Sequence, residues 1–296
     1  CTLESHVHTV NAFQTISVLQ KFPQSTINQS GMLSAEEINE LKNKYGVPDW
    51  SSIGAIYGTC GQVKAKKNDL KRRFKGLGEL NFFDEAKIEQ SKKLVDYWHK
   101  SEGKGLFAKF LMLIKSFVTK KHFSLVALLP EMAGVLRGEP TKAIIRSAYF
   151  KSPIVPDLDH CDPAKDNCGL MWSAPAIPAR AEDVKKILSV ETTFTKLDFN
   201  MSACFTVMNA RTFFVLIGVF FDKSKESEVI RANALYKLLS HQISGLGYQR
   251  YRSGVQDWKN TEGHESVSQK IKNALDPDNI LSPGRYGVIA SKNNEE

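Results

Sequence analysis

Two apolar runs joined by a short polar break constrain this chain more than any other feature. Met201 to Met208 and Thr212 to Asp222 are rich in Phe, Val and Ile and flank Asn209-Ala210, the pattern of two strands and a hairpin turn. Upstream, Met171 to Ala176 reads as a short strand, and Arg180-Ala-Glu-Asp opens a helix that runs to about Thr195. Downstream, residues 227–244 read as a helix with Ile230, Ala234, Leu238 and Leu239 on one face. Gly245 and Gly247 end it, and Tyr248 to Gly254 is extended. Strand–helix–strand–strand–helix–strand is the ferredoxin-like order. It predicts an α+β fold, an antiparallel sheet with helices on one face. A short helical C-terminal segment follows, with a helix from Ser266 to Leu275 and the turn Asp276-Pro277-Asp278-Asn279.

The first 150 residues give weaker signals. Val10, Phe13, Ile16 and Leu19 stand at helical spacing and predict a helix over 9–22. Ser34-Ala-Glu-Glu37 is a capping-box start for a helix to about Lys44. Residues 53–64 are β-like, and helices are expected over 66–74, 85–99 and 105–118. Phe123 to Leu129 reads as a helix extension or a strand. Lys151 to Asn167, rich in Pro, Asp and Lys, reads as a long exposed loop.

Composition excludes several classes. At 296 residues, 42% hydrophobic and 24% charged, the chain is long enough for a sizeable core and unlike a disordered, collagenous or small disulfide-stapled protein. The longest apolar run, Phe213 to Phe221, is too short to span a membrane. The net charge of +8 permits an anionic partner, but only residues 64–75 form a dense basic cluster. That cluster reads as a solvated helix face or a phosphate-binding patch. No aromatic-interleaved motif points to nucleic acid. Five cysteines without a framework lean toward a reducing cytoplasm over the periplasm. His160, Cys161 and Cys168 match no zinc spacing, so no metal is expected. His6 and His8 could share one strand face; a solvated pair is the plainer reading. The chain opens on Cys1 without a signal peptide, which fits either a lipid-bearing lipoprotein or a chain lacking its front.

No P-loop, GxSxG, HExxH or GxGxxG is present. Three other pieces are informative: Cys168-Gly-Leu-Met-Trp172-Ser-Ala-Pro175, Gly247-Tyr-Gln-Arg-Tyr251-Arg252, and Asp276-Pro-Asp-Asn-Ile-Leu-Ser-Pro-Gly-Arg285. Tyr251 and Arg252 set a phenolic donor beside a permanent cation, a pair suited to holding an anion. In a regular strand they would face opposite sides, so sharing one ligand needs a strand end or bend. An exposed Arg beside a packed Tyr is the structural alternative.

In this order and spacing the three pieces resemble the C-terminal half of the vanillyl-alcohol oxidase/4-cresol dehydrogenase flavoprotein family. The resemblance implies a substrate, or cap, domain over 1–247 and the C-terminal part of the FAD-binding domain over 248–296. The N-terminal FAD-binding segment has no counterpart in this chain, which favours a chain lacking its front over a lipoprotein. It implies FAD and hydride transfer from a phenolic, para-benzylic alcohol to flavin N5. By matching position, Tyr251 and Arg252 would bind the phenolate, Arg285 would lie beside the flavin, and Trp172 would line its site. Where the family has an acidic residue and a histidine, this chain aligns Phe205 and Phe214. Leu170 stands where some members attach FAD through histidine, and no tyrosine stands near His160 and Cys161 where others use one. Non-covalent FAD is therefore expected. The apolar replacements keep an FAD-linked 2-hydroxy-acid dehydrogenase open as an alternative, and a basic binding module or inactive scaffold as another. Expected partners are a small alcohol or phenol, the FAD-binding segment, a second copy in a homodimer, and a cytochrome or oxygen as electron acceptor.

Overall fold

The computed structural model describes residues 7–23, 31–100, 123–142, 144–154, 157, 159–251 and 264–283. Its centre is an antiparallel sheet built from strands β1 (Val7–Asn11), β2 (Trp50–Gly54), β3 (Cys168–Ser173), β4 (Pro175–Pro178), β5 (Ser202–Asn209), β6 (Thr212–Asp222) and β7 (Gln249–Arg250). The order is β2-β1-β5-β6-β4-β7, and β3 also pairs with β6. Strands β3 and β4 occupy successive lengths of the same edge of β6, at 217–222 and 212–214. The predicted hairpin is present, with its turn at Ala210 and Arg211.

Side chains alternate across the pleat, and the two faces are covered differently. On one face Ala203, Phe205, Val215, Ile217, Val219 and Phe221 pack against helices α7 (Ala181–Leu188), α8 (Glu191–Thr195) and α9 (Glu226–Gly245), which bury Ile187, Val190, Phe194, Leu235, Leu239 and Ile243. Burying each such side chain contributes about 1.5–3 kcal/mol. The helix predicted over 180–195 is therefore two short helices. Of the face predicted for α9, Leu239 meets the core, together with Ala232, Leu235 and Ile243, while Ile230, Ala234 and Leu238 are exposed.

Among the described residues, helices cover the opposite face at one end. There α1 (Ala12–Leu19) and α2 (Ala35–Tyr45) seat Phe13, Ile16 and Leu41 with Phe22, Leu33 and Phe150 over Phe220. The capping box of α2 is present as predicted, Ser34 with Glu37. The helix predicted over 9–22 is instead strand β1 followed by α1. Asn11 makes the transition: its side chain accepts from Gln14 N at 3.0 Å, capping α1, and donates to Met201 O at 2.8 Å, holding β1 to the sheet. The β-like stretch 53–64 is only the end of β2. A second capping box, Thr59 with Gln62, starts α3 (Cys60–Arg73). Helices α4 (Glu85–Lys100) and α5 (Phe123–Arg137) pack against each other, and α6 (Ile145–Ala148) is one turn beside α1. The C-terminal helix α10 (His264–Leu275) is where it was expected. The helix expected over 105–118 lies outside the described residues.

Candidate active site

The stretch of sheet that the described helices leave open is where Tyr251 and Trp172 lie. Strand β7 pairs with β4 through Pro175↔Arg250 and Ala176↔Gln249. Tyr248 and Arg250 turn toward the helices. The Tyr248 hydroxyl donates to Asp183 Oδ1 at 2.6 Å, and Arg250 reaches the Tyr236 hydroxyl at 3.0 Å. Burial, then the bond to Asp183, pushes the Tyr248 phenol up to about 12. Alternation then sends Gln249 and Tyr251 to the other face. Tyr251, one residue past the strand, is still held by its N–H, which donates to Ala174 O at 3.1 Å.

The Tyr251 ring is 57% exposed and meets Phe214 edge to face, centroids 4.3 Å apart at 83°. Phe214 sits in a row that crosses the sheet in register. His8 pairs with Thr206, Thr206 with Phe214, Phe214 with Ala176, and Ala176 with Gln249. His8 Nδ1 and Thr206 Oγ1 are 2.9 Å apart. The next row holds Val10, Cys204 and Leu216. Cys204 Sγ is 3.9 Å from Thr206 Oγ1, and burial pushes its thiol up, which keeps it protonated and unreactive. In the third row Trp172 lies over Gly218, beside Ser202. Its ring is half-buried and meets Phe220 edge-on at 6.2 Å, so Trp172 borders the open face where the α1 cover begins.

Of the four site residues expected from sequence, Tyr251 and Trp172 share this face. Arg252 and Arg285 lie outside the described residues. Phe205 does not belong to the face. It points into the helix-side core, 6% exposed, edge-on to Trp50 and Phe213. A one-residue slip exchanges sheet faces, and the position of β5 beside Phe214 on the open side is Thr206. Phe214 is on the face, as a ring and not a titratable group. Sequence reasoning missed the pairing of His8 with Thr206. His8 was visible as a strand-face candidate, but its partner is 198 residues away. His6 lies outside the described residues.

The basic cluster is elsewhere, on exposed α3. Asp69 pairs there with Arg72 and Arg73, and Lys67 and Lys71 lie over the Phe82 ring. No helix among the described residues is long and apolar enough to cross a membrane.

No protein-family model matches the chain. A 1'-carboxy-chondrochloren decarboxylase from Chondromyces crocatus is 32% identical over 285 residues, 93% of this chain and 49% of that protein. The 4-cresol dehydrogenase [hydroxylating] flavoprotein subunit of Pseudomonas putida is 33% identical over 127 residues, 40% of this chain and 24% of that protein. Among solved structures, p-cresol methylhydroxylase with substrate bound superposes with a TM-score of 0.67 at 20% identity, over 96% of this chain and 47% of its own. The 4-ethylphenol oxidase from Gulosibacter chungangensis, in complex with isoeugenol, gives 0.72 at 15% identity, over 98% and 48%. The chain thus spans about half the length of the relatives it matches along its whole length. In sequence and in fold the chain is similar to 4-cresol dehydrogenase-type flavoproteins of the FAD-linked oxidase family, over about half of their length.

Proposed function

We propose that this chain is the cap and C-terminal portion of an FAD-dependent oxidoreductase acting on para-substituted phenols. The observation that carries the reading is Tyr251 standing edge-on to Phe214 on the one sheet face the described chain leaves uncovered, in a protein whose relatives include a 4-cresol dehydrogenase flavoprotein. Phe214, Leu216 and the Trp172 ring offer a flat apolar wall of the kind a planar aromatic ring packs against. That wall fits a phenol or an isoalloxazine equally. Bound FAD would accept a hydride at N5. The protein's part is to hold the substrate as phenolate, whose free pKa is about 10. The Tyr251 hydroxyl, with Arg252, would do so by charge-assisted hydrogen bonds. Loss of the hydride from the benzylic carbon then leaves a neutral quinone methide. Arg285 is assigned to the flavin side and Trp172 to the wall. The FAD is held non-covalently, in keeping with Leu170 at the position some members use for attachment.

The domain division at 247/248 belongs to the same reading. Helix α10 exposes Val267, Ile271 and Leu275, followed by exposed Ile280 and Leu281, a stripe suited to packing within an FAD-binding domain. A second reading has its own support: the relative matched along 93% of this chain is named a decarboxylase. In that case the side chain of the phenol bears a carboxylate that would leave as carbon dioxide, its C–C bonding pair forming the side-chain double bond and returning the quinone methide ring to a phenolate.

The test is anaerobic mixing of the full-length, flavin-loaded protein with 4-cresol or 4-ethylphenol. Bleaching of the flavin absorbance is expected, with kcat/KM falling about tenfold or more in Tyr251→Phe, the loss of a hydrogen bond to a charged group. A flavin that no para-alkyl phenol reduces overturns the reading.

A further inference from the structure

The row across the open face has a polar end and an aromatic end. Tyr251 and Phe214 form the aromatic end; Thr206 and His8 lie one and two strands beyond Phe214. Neighbouring strands are about 4.8 Å apart, so a phenol whose hydroxyl is held at Tyr251 and whose ring crosses Phe214 brings its para side chain onto Thr206. Among the described residues, no carboxylate, Lys or Arg projects from these rows. Among the described residues of these rows, the titratable groups sharing the face with His8 are Cys204 and Tyr251, and Ile53 stands opposite His8 on β2. Resting on the phenol reading above, we infer that Thr206, oriented by His8, is a specificity residue that selects a para side chain ending in a carboxylate.

Whether His8 Nδ1 carries a proton sets the direction of the Thr206 hydroxyl. When His8 is protonated, its Nδ1–H donates to Thr206 Oγ1 at 2.9 Å, and the hydroxyl proton is directed away from His8. Thr206 then donates to an anionic oxygen, beside a positive charge. When His8 is neutral and carries its proton on Nε2, Nδ1 accepts the Thr206 proton, and the hydroxyl presents only lone pairs to the face. A carboxylate is therefore favoured with His8 charged. Histidine changes charge between pH 5 and 8, where an ordinary carboxylate stays ionised.

The experiment measures dissociation constants by calorimetry on the full-length, flavin-loaded protein, with 4-hydroxyphenylacetate and 4-ethylphenol as probes. We expect 4-hydroxyphenylacetate to bind about tenfold more tightly near pH 5.5 than near pH 8, and 4-ethylphenol about equally at both. Thr206→Val and His8→Gln should abolish that pH dependence without weakening 4-ethylphenol, and Thr206→Ser, which keeps the hydroxyl, should restore it. A Thr206→Val protein that binds the carboxylate as the parent does at both pH values overturns the inference while leaving the phenol reading intact. Failure of the parent to bind 4-ethylphenol overturns both.

Discussion

Tyr248 and Asp183 form a buried bond, hydroxyl to carboxylate at 2.6 Å, that fastens the two-residue strand β7 to helix α7. Arg180 completes it from the other side, its Nε 2.6 Å from Asp183 Oδ2. These two partners, Arg180 first, hold the Asp183 carboxyl below the usual range. Because Tyr248 is clamped inward, alternation delivers Tyr251 to the open face three residues later.

Tyr248→Phe tests this anchor. The ring still fills its place, but a hydrogen bond to a charged group is lost, which costs about 1.5–3 kcal/mol. The urea midpoint should fall with an unchanged m-value, and the near-ultraviolet dichroism of the Tyr251–Phe214 pair should weaken. A variant with parental stability would show that β7 is held by strand pairing alone.

Lys151 predicts an alkaline effect. Its Nζ donates to Gly31 O, sits 4.9 Å from the Phe22 ring centroid and 5.0 Å from that of Phe199, and is 3.7 Å from Glu228. Burial lowers its pKa to about 8, against 10.5 in the unfolded chain. Between those values the unfolded state binds more protons, so the contribution of this group to stability rises with pH. Measured as the difference from Lys151→Met, parental stability should gain up to about 3 kcal/mol from pH 8 to pH 10.5. A flat difference across that window would refute the assignment.

Elements whose partners are near in sequence were legible. The β5–β6 hairpin, the Ser34–Glu37 capping box and helix α10 all declare themselves by local pattern. Strand β1 did not. Val10, Phe13 and Ile16 fit a helical stripe, and what makes residues 7–11 a strand is pairing with 204–206, far along the chain. The core face of α9 was legible only at Leu239, for a related reason: Ile230 and Leu238 are as apolar as Leu235 and Leu239, so composition alone does not show which stripe meets the sheet. At the site, Tyr251 and Trp172 stood out as motif residues. Thr206 could not, because only the register beside Phe214 separates it from Phe205.

Gly218 tests the Trp172 wall. A Cβ there would lie 2.9 Å from Trp172 Cζ3 and 3.3 Å from the Ser202 side chain. Neither neighbour is the end of a long flexible chain, so Gly218→Ala must displace the indole or the strand. Overpacking of this kind costs about 1–3 kcal/mol. The variant should lose stability by that order, and a tilted Trp172 should weaken binding of 4-ethylphenol to the flavin-loaded protein. Parental phenol affinity in a folded Gly218→Ala protein would remove Trp172 from the wall.

Phe205 and Thr206 are neighbours on β5 that face opposite layers, and their substitutions should separate stability from recognition. Phe205 is 6% exposed and meets Trp50 and Phe213 edge-on at 5.8 and 6.2 Å. Phe205→Ala opens a cavity in the helix-side core and should cost about 3–5 kcal/mol. The milder Phe205→Leu should stay folded and bind phenols as the parent does, since nothing on the open face has changed. Thr206→Val keeps shape and β-branching and should unfold near the parental urea midpoint. Its loss falls on ligands that use the hydroxyl, because the apolar replacement leaves His8 without its 2.9 Å partner. The reverse outcome, with Phe205→Leu impaired in binding and Thr206→Val impaired only in stability, would mean that the substrate approaches from the helix side and that the open face is not the site.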